Sequence, residues 1–265
     1  MAIKRGYVGT RDGQIHYRFC EGGKEPPVVF FHMIATSSEC YEKIMGLLDG
    51  EYRMFAMDTP GFGQSFFPPQ PPTITYYASI LLEALENLGV HEFYAFGHHT
   101  GAAISVEMAA TARERLKGIM LEGPVYLTKE EARSFLDMLG KSVAIAADGS
   151  HLMKIWNHVV GLDPDHPPML CHREAVDTLR AVEHFHEAFS AVFSQDYESM
   201  FSKVKCPTLF LCGENDLLMP YFKRVCDAYS NAKRVVLPGC GVYALDNCPE
   251  LNVKEIRAFL HDMLR

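Results

Sequence analysis

Five consecutive residues carry the clearest chemical signal in this chain. Gly97-His98-His99-Thr100-Gly101 follows a strand-like run and leads into an alanine-rich helical stretch. A strand that turns sharply into a helix around G-x-X-x-G lifts its central side chain towards a pocket. The glycines are needed because the strained turn leaves no room for side chains beside that residue. The central residue here is His99, whose imidazole can take or give a proton near neutral pH. The other soft ligands suggest less. The twelve histidines include His184 and His186, but an i, i+2 pair on a helix points to different sides, and no HExxH pattern occurs. The eight cysteines (Cys20, Cys40, Cys171, Cys206, Cys212, Cys226, Cys240 and Cys248) lie singly, without the paired spacing of a zinc site. Free, inert thiols and no metal site are the expectation.

The elements that must hold His99 can be read from the periodicity. Apolar runs bounded by turn residues alternate with segments of helical period, which predicts βαβ units and a mostly parallel sheet. The segments 6–10 and 14–20 flank Arg11-Asp12-Gly13 and read as an edge hairpin. Strands are predicted over 28–32, 53–58, 92–96, 116–122, 208–212 and 234–237. Helices are predicted from an N-cap at Thr36 to Ser38 towards Leu48, and over 75–88, 102–113 and 249–264. Pro68, Pro69, Pro71 and Pro72 keep the chain before the second helix irregular. From Gly123 to Lys205 no strand alternation occurs. That segment reads as helices broken at Gly140, at Asp148-Gly149 and between Asp163 and Pro168. The expected organisation is a core of residues 1–122 and 206–265 with a helical lid, 123–205, inserted into it.

From about Tyr7 to Leu264 the order and spacing of motifs resembles the α/β-hydrolase fold superfamily. His32-Met33 resembles its His-Gly oxyanion motif, and Asp58-Thr59-Pro60-Gly61-Phe62-Gly63-Gln64-Ser65 resembles its D-x-x-G-x-G-x-S loop. Gly213-Glu214-Asn215-Asp216, with Pro220 closing the loop, is similar to the family's acid turn. Gly239-Cys240-Gly241-Val242, with Pro249-Glu250 after it, is similar to the histidine loop. The resemblance implies an α/β fold with helices on both faces of the sheet, the acid position at Asp216, and an oxyanion hole from the backbone of Thr100 and of Met33 or Ile34.

Two departures stand out against that pattern. The elbow holds His99 in place of serine, aspartate or cysteine, and Val242 stands where the family has its general base. Ordinary ester hydrolysis through an acyl-serine is therefore disfavoured. Removing the usual imidazole opens a gap of roughly one ring. His99 can fill that gap and reach Asp216 as a His-Asp dyad without a separate nucleophile. Asp216 has the alternative role of capping the helix after it.

His32, Phe66, Trp156 and Val242 are the candidate pocket residues, although Trp156 could instead anchor the lid. His98 is expected to pack under the sheet, and Glu122 is a lesser candidate partner for His99. Composition sets the outer limits: 265 residues, 48% hydrophobic and 22% charged, suit a globular protein with a large core. A net charge of -8 argues against nucleic acid and an anionic membrane surface as partners. The polar opening residues and the lack of a long apolar run give a cytoplasmic protein as the expectation. The expected partner is a small-molecule substrate, with a homodimer left open and no cofactor. The leading expectation is an enzyme acting on a small, mostly apolar carbonyl or ester-type compound, with His99 as general base; hydrolysis, lyase chemistry and cofactor-independent oxygenation all stay open. The alternative is a degenerate hydrolase homologue that binds a ligand or serves as a scaffold.

Overall fold

The computed structural model describes residues 3–139, 143–181 and 184–264. It opens with the hairpin, β1 (Lys4–Gly9) and β2 (Gln14–Cys20), paired so that Gly9 faces Gln14. β3 (Lys24–Phe31), β4 (Tyr52–Met57), β5 (Phe93–His98), β6 (Leu116–Glu122), β7 (Thr208–Gly213) and β8 (Lys233–Leu237) complete the sheet. Among the described residues it has eight strands in the order β1-β2-β4-β3-β5-β6-β7-β8. β2 meets β4 antiparallel and the pairs from β4 to β8 are parallel. Parallel strands are covered on both faces, and every residue of β5 and β7 is buried.

Alternation along the strands sends neighbouring residues to two different cores. Val29 and Phe31 of β3 join one apolar cluster with α2 (Ile74–Asn87) and α3 (Thr100–Thr111). Val28 and Phe30 join the other, against α1 (Glu42–Leu47) and α11 (Pro249–Met263). The single helix expected before Leu48 is divided: Ser37 caps a 3₁₀ turn, Ser38–Tyr41, and α1 follows it.

α4 (Lys129–Leu139), α5 (Ser150–Leu162), α6 (Pro168–Ala181), α7 (His184–Phe193) and α8 (Tyr197–Lys203) lie between β6 and β7 in the chain, and no strand occurs among the described residues of 123–205. Gly149, at φ 75°, precedes α5, and residues 163–167 separate α5 from α6, as expected. The break expected at Gly140 lies outside the described residues. Arg173 of α6 ties this helical segment to the core through Asp246 of α10 (Ala244–Asn247), and His166 stacks on Tyr243 at 4.1 Å between ring centroids. α9 (Met219–Ala228) follows β7. No helix among the described residues is long and apolar enough to cross a membrane.

One expectation about the cysteines is corrected. Cys240 and Cys248 are joined in a disulfide, while Cys20, Cys40, Cys171, Cys206, Cys212 and Cys226 are free. The one-turn helix α10 folds the chain back between the pair and brings their Cα atoms to 6.2 Å, a closeness that sequence separation alone does not reveal.

The tightest backbone packing is between β3, β5 and the start of α3. A Cβ at Gly97 would lie 2.2 Å from the Gly101 carbonyl oxygen, and one at Gly101 would lie 1.8 Å from that of Phe31. Backbone atoms cannot swing aside as a side chain can. Gly101→Ala is therefore expected to destabilise the protein by about 3 kcal/mol, the upper end for overpacking. Urea unfolding should show this as a lower midpoint at constant slope, and an unchanged midpoint would contradict the close approach.

Candidate active site

β5 delivers the chain into a sharp turn at His99, with φ 46° and ψ −101°, before α3 begins. Among the described residues this is the one non-glycine with positive φ. Such a conformation costs about 1–3 kcal/mol and persists only where its surroundings impose it. Here the His99 N–H donates to the Glu122 carbonyl at 2.9 Å, and the His99 carbonyl accepts from Ala103 at 3.0 Å. Gly123, at φ 58°, completes the fit: a Cβ there would lie 2.2 Å from His99 Cδ2 and 2.4 Å from Nε2. Sequence reasoning missed Gly123, whose only signal was its place directly after the strand that flanks the elbow.

The ring reaches across to the turn after β7. His99 Nε2 lies 2.9 Å from Asp216 Oδ2, and Asp216 Oδ1 accepts from the Leu218 N–H at 2.7 Å. The carboxylate thus faces the imidazole and closes a tight turn ahead of α9; it does not cap that helix, whose N-cap is Leu218 and has no side-chain cap bond. A carboxylate accepts, so Nε2 donates, and in the neutral ring Nδ1 keeps the lone pair. The Asp216 side chain is 1% exposed and that of His99 16%. Burial pushes the Asp216 carboxyl up, but His99, the Leu218 amide and His98 together hold it below its ordinary value.

His99 stands where two small lobes of one cavity meet, at the carboxyl ends of the strands. One lobe, of about 60 Å³, is walled by Met33, Ile34, Val242, Val159 and Phe185, with Thr36, His158, Glu174, Thr178 and Tyr243 among its polar groups. The other, about 40 Å³, is apolar and bounded by Val125, Phe135, Val192, Phe193 and Leu218. His99, Thr100, Leu139, Phe189 and Leu217 belong to both. The structure therefore brings His99, Asp216, Thr100, Met33, Ile34 and Val242 together.

Three expected pocket residues lie elsewhere. His32 is buried between loops, with Nδ1 2.8 Å from the Met33 carbonyl and Nε2 accepting from the Thr59 N–H at 2.9 Å, so both ring nitrogens are spent on backbone. Phe66 packs against Gly13 in the hairpin turn, where a Cβ would fall 2.4 Å from its ring. Trp156 is half-buried against a cluster that joins Ile155, Val159, Cys171 and Ala175 of the helical segment to Met33, Val242 and Tyr243 of the core, the packing expected of an anchor. His158, Val159 and Leu162 of α5 face the cavity instead, and Trp156 stands about 100° round the helix from Ile155, outside their arc. Asp58 is structural as well: it accepts from the amides of Ser38 and Gln64 and pairs with His16 at 2.8 Å. Those bonds overcome burial and hold its carboxyl at about 2.

Beneath the elbow, His98 and Glu122 are register partners on β5 and β6, both buried. Burial, then the neighbouring His99, holds His98 well below its ordinary pKa, and neither of its ring nitrogens has a hydrogen-bond partner among the described residues. Glu122 receives one bond of 3.4 Å from Asn252. Its carboxyl is pushed up to about 8, by burial first and by Asp216 second. It contacts His99 through its backbone carbonyl only, so it is not the partner of the imidazole.

The chain belongs to the α/β-hydrolase fold family, whose sequence profile matches residues 26–247. Haloalkane dehalogenase 2 of Mycobacterium tuberculosis (strain ATCC 25618 / H37Rv) is 31% identical over 110 residues, 41% of this chain, and the match spans 38% of that relative's length. RutD of Pseudomonas syringae pv. syringae (strain B728a) is 24% identical over 257 residues, 92% of this chain and 97% of RutD. Among solved structures, the enol-lactonase from Burkholderia xenovorans LB400 superposes with a TM-score of 0.82 at 18% identity, covering 97% of this chain and 100% of that one. E-2-(acetamidomethylene)succinate hydrolase superposes with a TM-score of 0.81 at 20% identity, covering 98% and 100%. These structural likenesses show the fold.

The Glu122 carboxyl yields a sign that can be tested. Its folded pKa of about 8 lies above the ordinary 4.5, so the native state favours the protonated form. Its contribution to stability is full below the ordinary value and is lost as pH rises towards 8. Relative to Glu122→Gln, the wild type should lose stability between pH 5 and pH 9, on the order of a few kcal/mol. Urea unfolding of both proteins at the two pH values measures this, and a difference constant with pH would mean that Glu122 is already ionised.

Proposed function

We propose that the protein is an enzyme in which His99 acts as general base on a small, largely apolar carbonyl compound. Asp216 orients the ring and stabilises the imidazolium that forms. The observation that carries this reading is the 2.9 Å contact between His99 Nε2 and Asp216 Oδ2, with Val242 in the wall of the same cavity. Nε2–H is committed to the carboxylate, so Nδ1 is the atom that removes a proton, from a carbon acid or from water. General-base catalysis of this kind contributes about 10² to 10⁴-fold. The negative charge that develops on the substrate oxygen is met by the backbone N–H of Thr100, at the positive end of α3, and by that of Met33 or Ile34.

No serine or cysteine side chain lines either lobe among the described residues, which supports chemistry without a covalent acyl intermediate. Helices α4 to α8 act as the lid: Leu139, Val159, Leu162 and Phe185 cover His99 and exclude water, which strengthens each polar contact inside. The lining selects the substrate. The phenylalanine-rich lobe takes an aryl or alkyl arm, and the lobe ending at Glu174 and Thr178 takes a short arm with one polar group.

The test offers the protein small ketones and 1,3-dicarbonyls in deuterium oxide, following α-proton exchange by NMR, alongside a panel of small esters and lactones. His99→Ala is expected to lower the rate of the accepted substrate by about 10³-fold or more, and Asp216→Asn by about 10² to 10⁴-fold, with unchanged circular dichroism. A fluorophosphonate probe should leave the protein unlabelled. Turnover that survives His99→Ala, or stoichiometric labelling of a cavity residue, overturns the reading.

A further inference from the structure

Consecutive strand residues normally point to opposite faces of a sheet. The reversal at His99 defeats that rule and brings the rings of His98 and His99 to 4.4 Å between centroids. One nitrogen from each ring and one carboxylate oxygen of Asp216 all lie within 4.8 Å of one another. His98 is 1% exposed, and both its ring nitrogens lack a hydrogen-bond partner among the described residues. Leaving a buried polar group unsatisfied is unfavourable, and the base mechanism makes no use of His98. This is an unspent ligand beside a histidine and a carboxylate.

We propose that His98, His99 and Asp216 form a binding site for one divalent transition-metal ion of the zinc type. Two imidazoles and a carboxylate suit Zn²⁺ and leave a fourth position, open to the cavity, for water. Burial keeps His98 neutral, the form that ligates. Tetrahedral bonds of about 2.0–2.1 Å set ligand separations near 3.3 Å, so the widest pair has to close by at most about 1.5 Å and the 2.9 Å pair of His99 and Asp216 has to open slightly.

The consequence for catalysis rests on the function proposed above. Coordination at Nε2 of His99, the nitrogen facing Asp216, needs the lone pair there. The Nε2 proton must then move to Nδ1, with no net release from the neutral ring. Nδ1 becomes a donor and can no longer accept a proton from substrate. Metal and base therefore exclude each other, and the ion acts as an inhibitor of the dyad.

The metal-free full chain, treated with EDTA and dialysed, is titrated with Zn²⁺ by calorimetry in the absence of substrate. One equivalent should bind, and His98→Leu should weaken binding about tenfold or more, equivalent to about 1.4 kcal/mol. No binding, or an affinity unchanged in a folded His98→Leu protein, overturns the site. Should that variant fail to fold, anomalous diffraction at the zinc edge from wild-type crystals decides: a peak between His98, His99 and Asp216 supports the site, and its absence there overturns it. Activity is read separately. Loss on adding Zn²⁺ with recovery in EDTA supports the exclusion of metal and base, whereas binding without inhibition supports the site and counts against His99 Nδ1 as the base.

Discussion

The contact between α3 and the sheet, where residue 101 has no room for even one carbon beyond its Cα, governs the architecture around it. The helix can come so close to β3 because Gly97 and Gly101 present bare backbone to each other and to Phe31. That approach shortens the path from strand to helix to a single residue, which forces His99 to φ 46°. The strain, about 1–3 kcal/mol, is offset by what it positions. Every residue of α3 from Thr100 to Ala110 is buried, Ser105 and Glu107 included, so the helix lies enclosed between sheet and covering helices. The same turn sets the direction of the imidazole and the placement of the Thr100 amide, so the ring and the proposed oxyanion donor share one cause.

Burial by itself does not decide which carboxyls ionise. Asp216 and Glu122 are both fully enclosed and near enough to influence each other, yet one is held below its ordinary value and the other is raised to about 8. Donors make the difference. Asp216 receives the His99 ring and the Leu218 amide, while Glu122 receives one long bond from Asn252. Once Asp216 holds the charge, a second anion nearby is disfavoured further, and Glu122 stays protonated. A single negative charge thus faces His99.

The sheet was legible in the sequence because parallel strands buried on both faces are apolar runs between turns, and Leu116–Glu122 matches from end to end. The misses have physical causes. β3 begins at Lys24, which pairs with Tyr52 ahead of a register shift across Glu25-Pro26-Pro27, an irregular start that hydropathy does not register. α9 went unread because Pro220 looked like a loop residue, while at the first turn of a helix proline is tolerated. The elbow was legible because its backbone geometry dictates its glycines, and the acid turn through its resemblance to the family's motif. The facing of His32, Phe66 and Trp156 was not, since residue type does not say towards which neighbour a side chain is packed. Gly123 and the Cys240–Cys248 pair depend on contacts made after the chain has folded.

On the proposed reading, the histidine at residue 99 and the valine at residue 242 are one change in two places. Asp216 has two oxygens: the Leu218 amide holds one and the His99 ring the other. A second imidazole arriving from residue 242 would meet a carboxylate whose oxygens already have donors. It would also lack a partner inside a wall formed by Met33 and Leu217, an arrangement that costs about 1–3 kcal/mol. Valine avoids that cost and is itself buried, at 4% exposure. Conversely, a small residue at the elbow with Val242 retained would leave Asp216 with the amide alone. The carboxylate would then drift towards the state of Glu122, protonated and chemically idle. The dyad is therefore stable only as a matched set, in which the elbow supplies the imidazole that the loop no longer does.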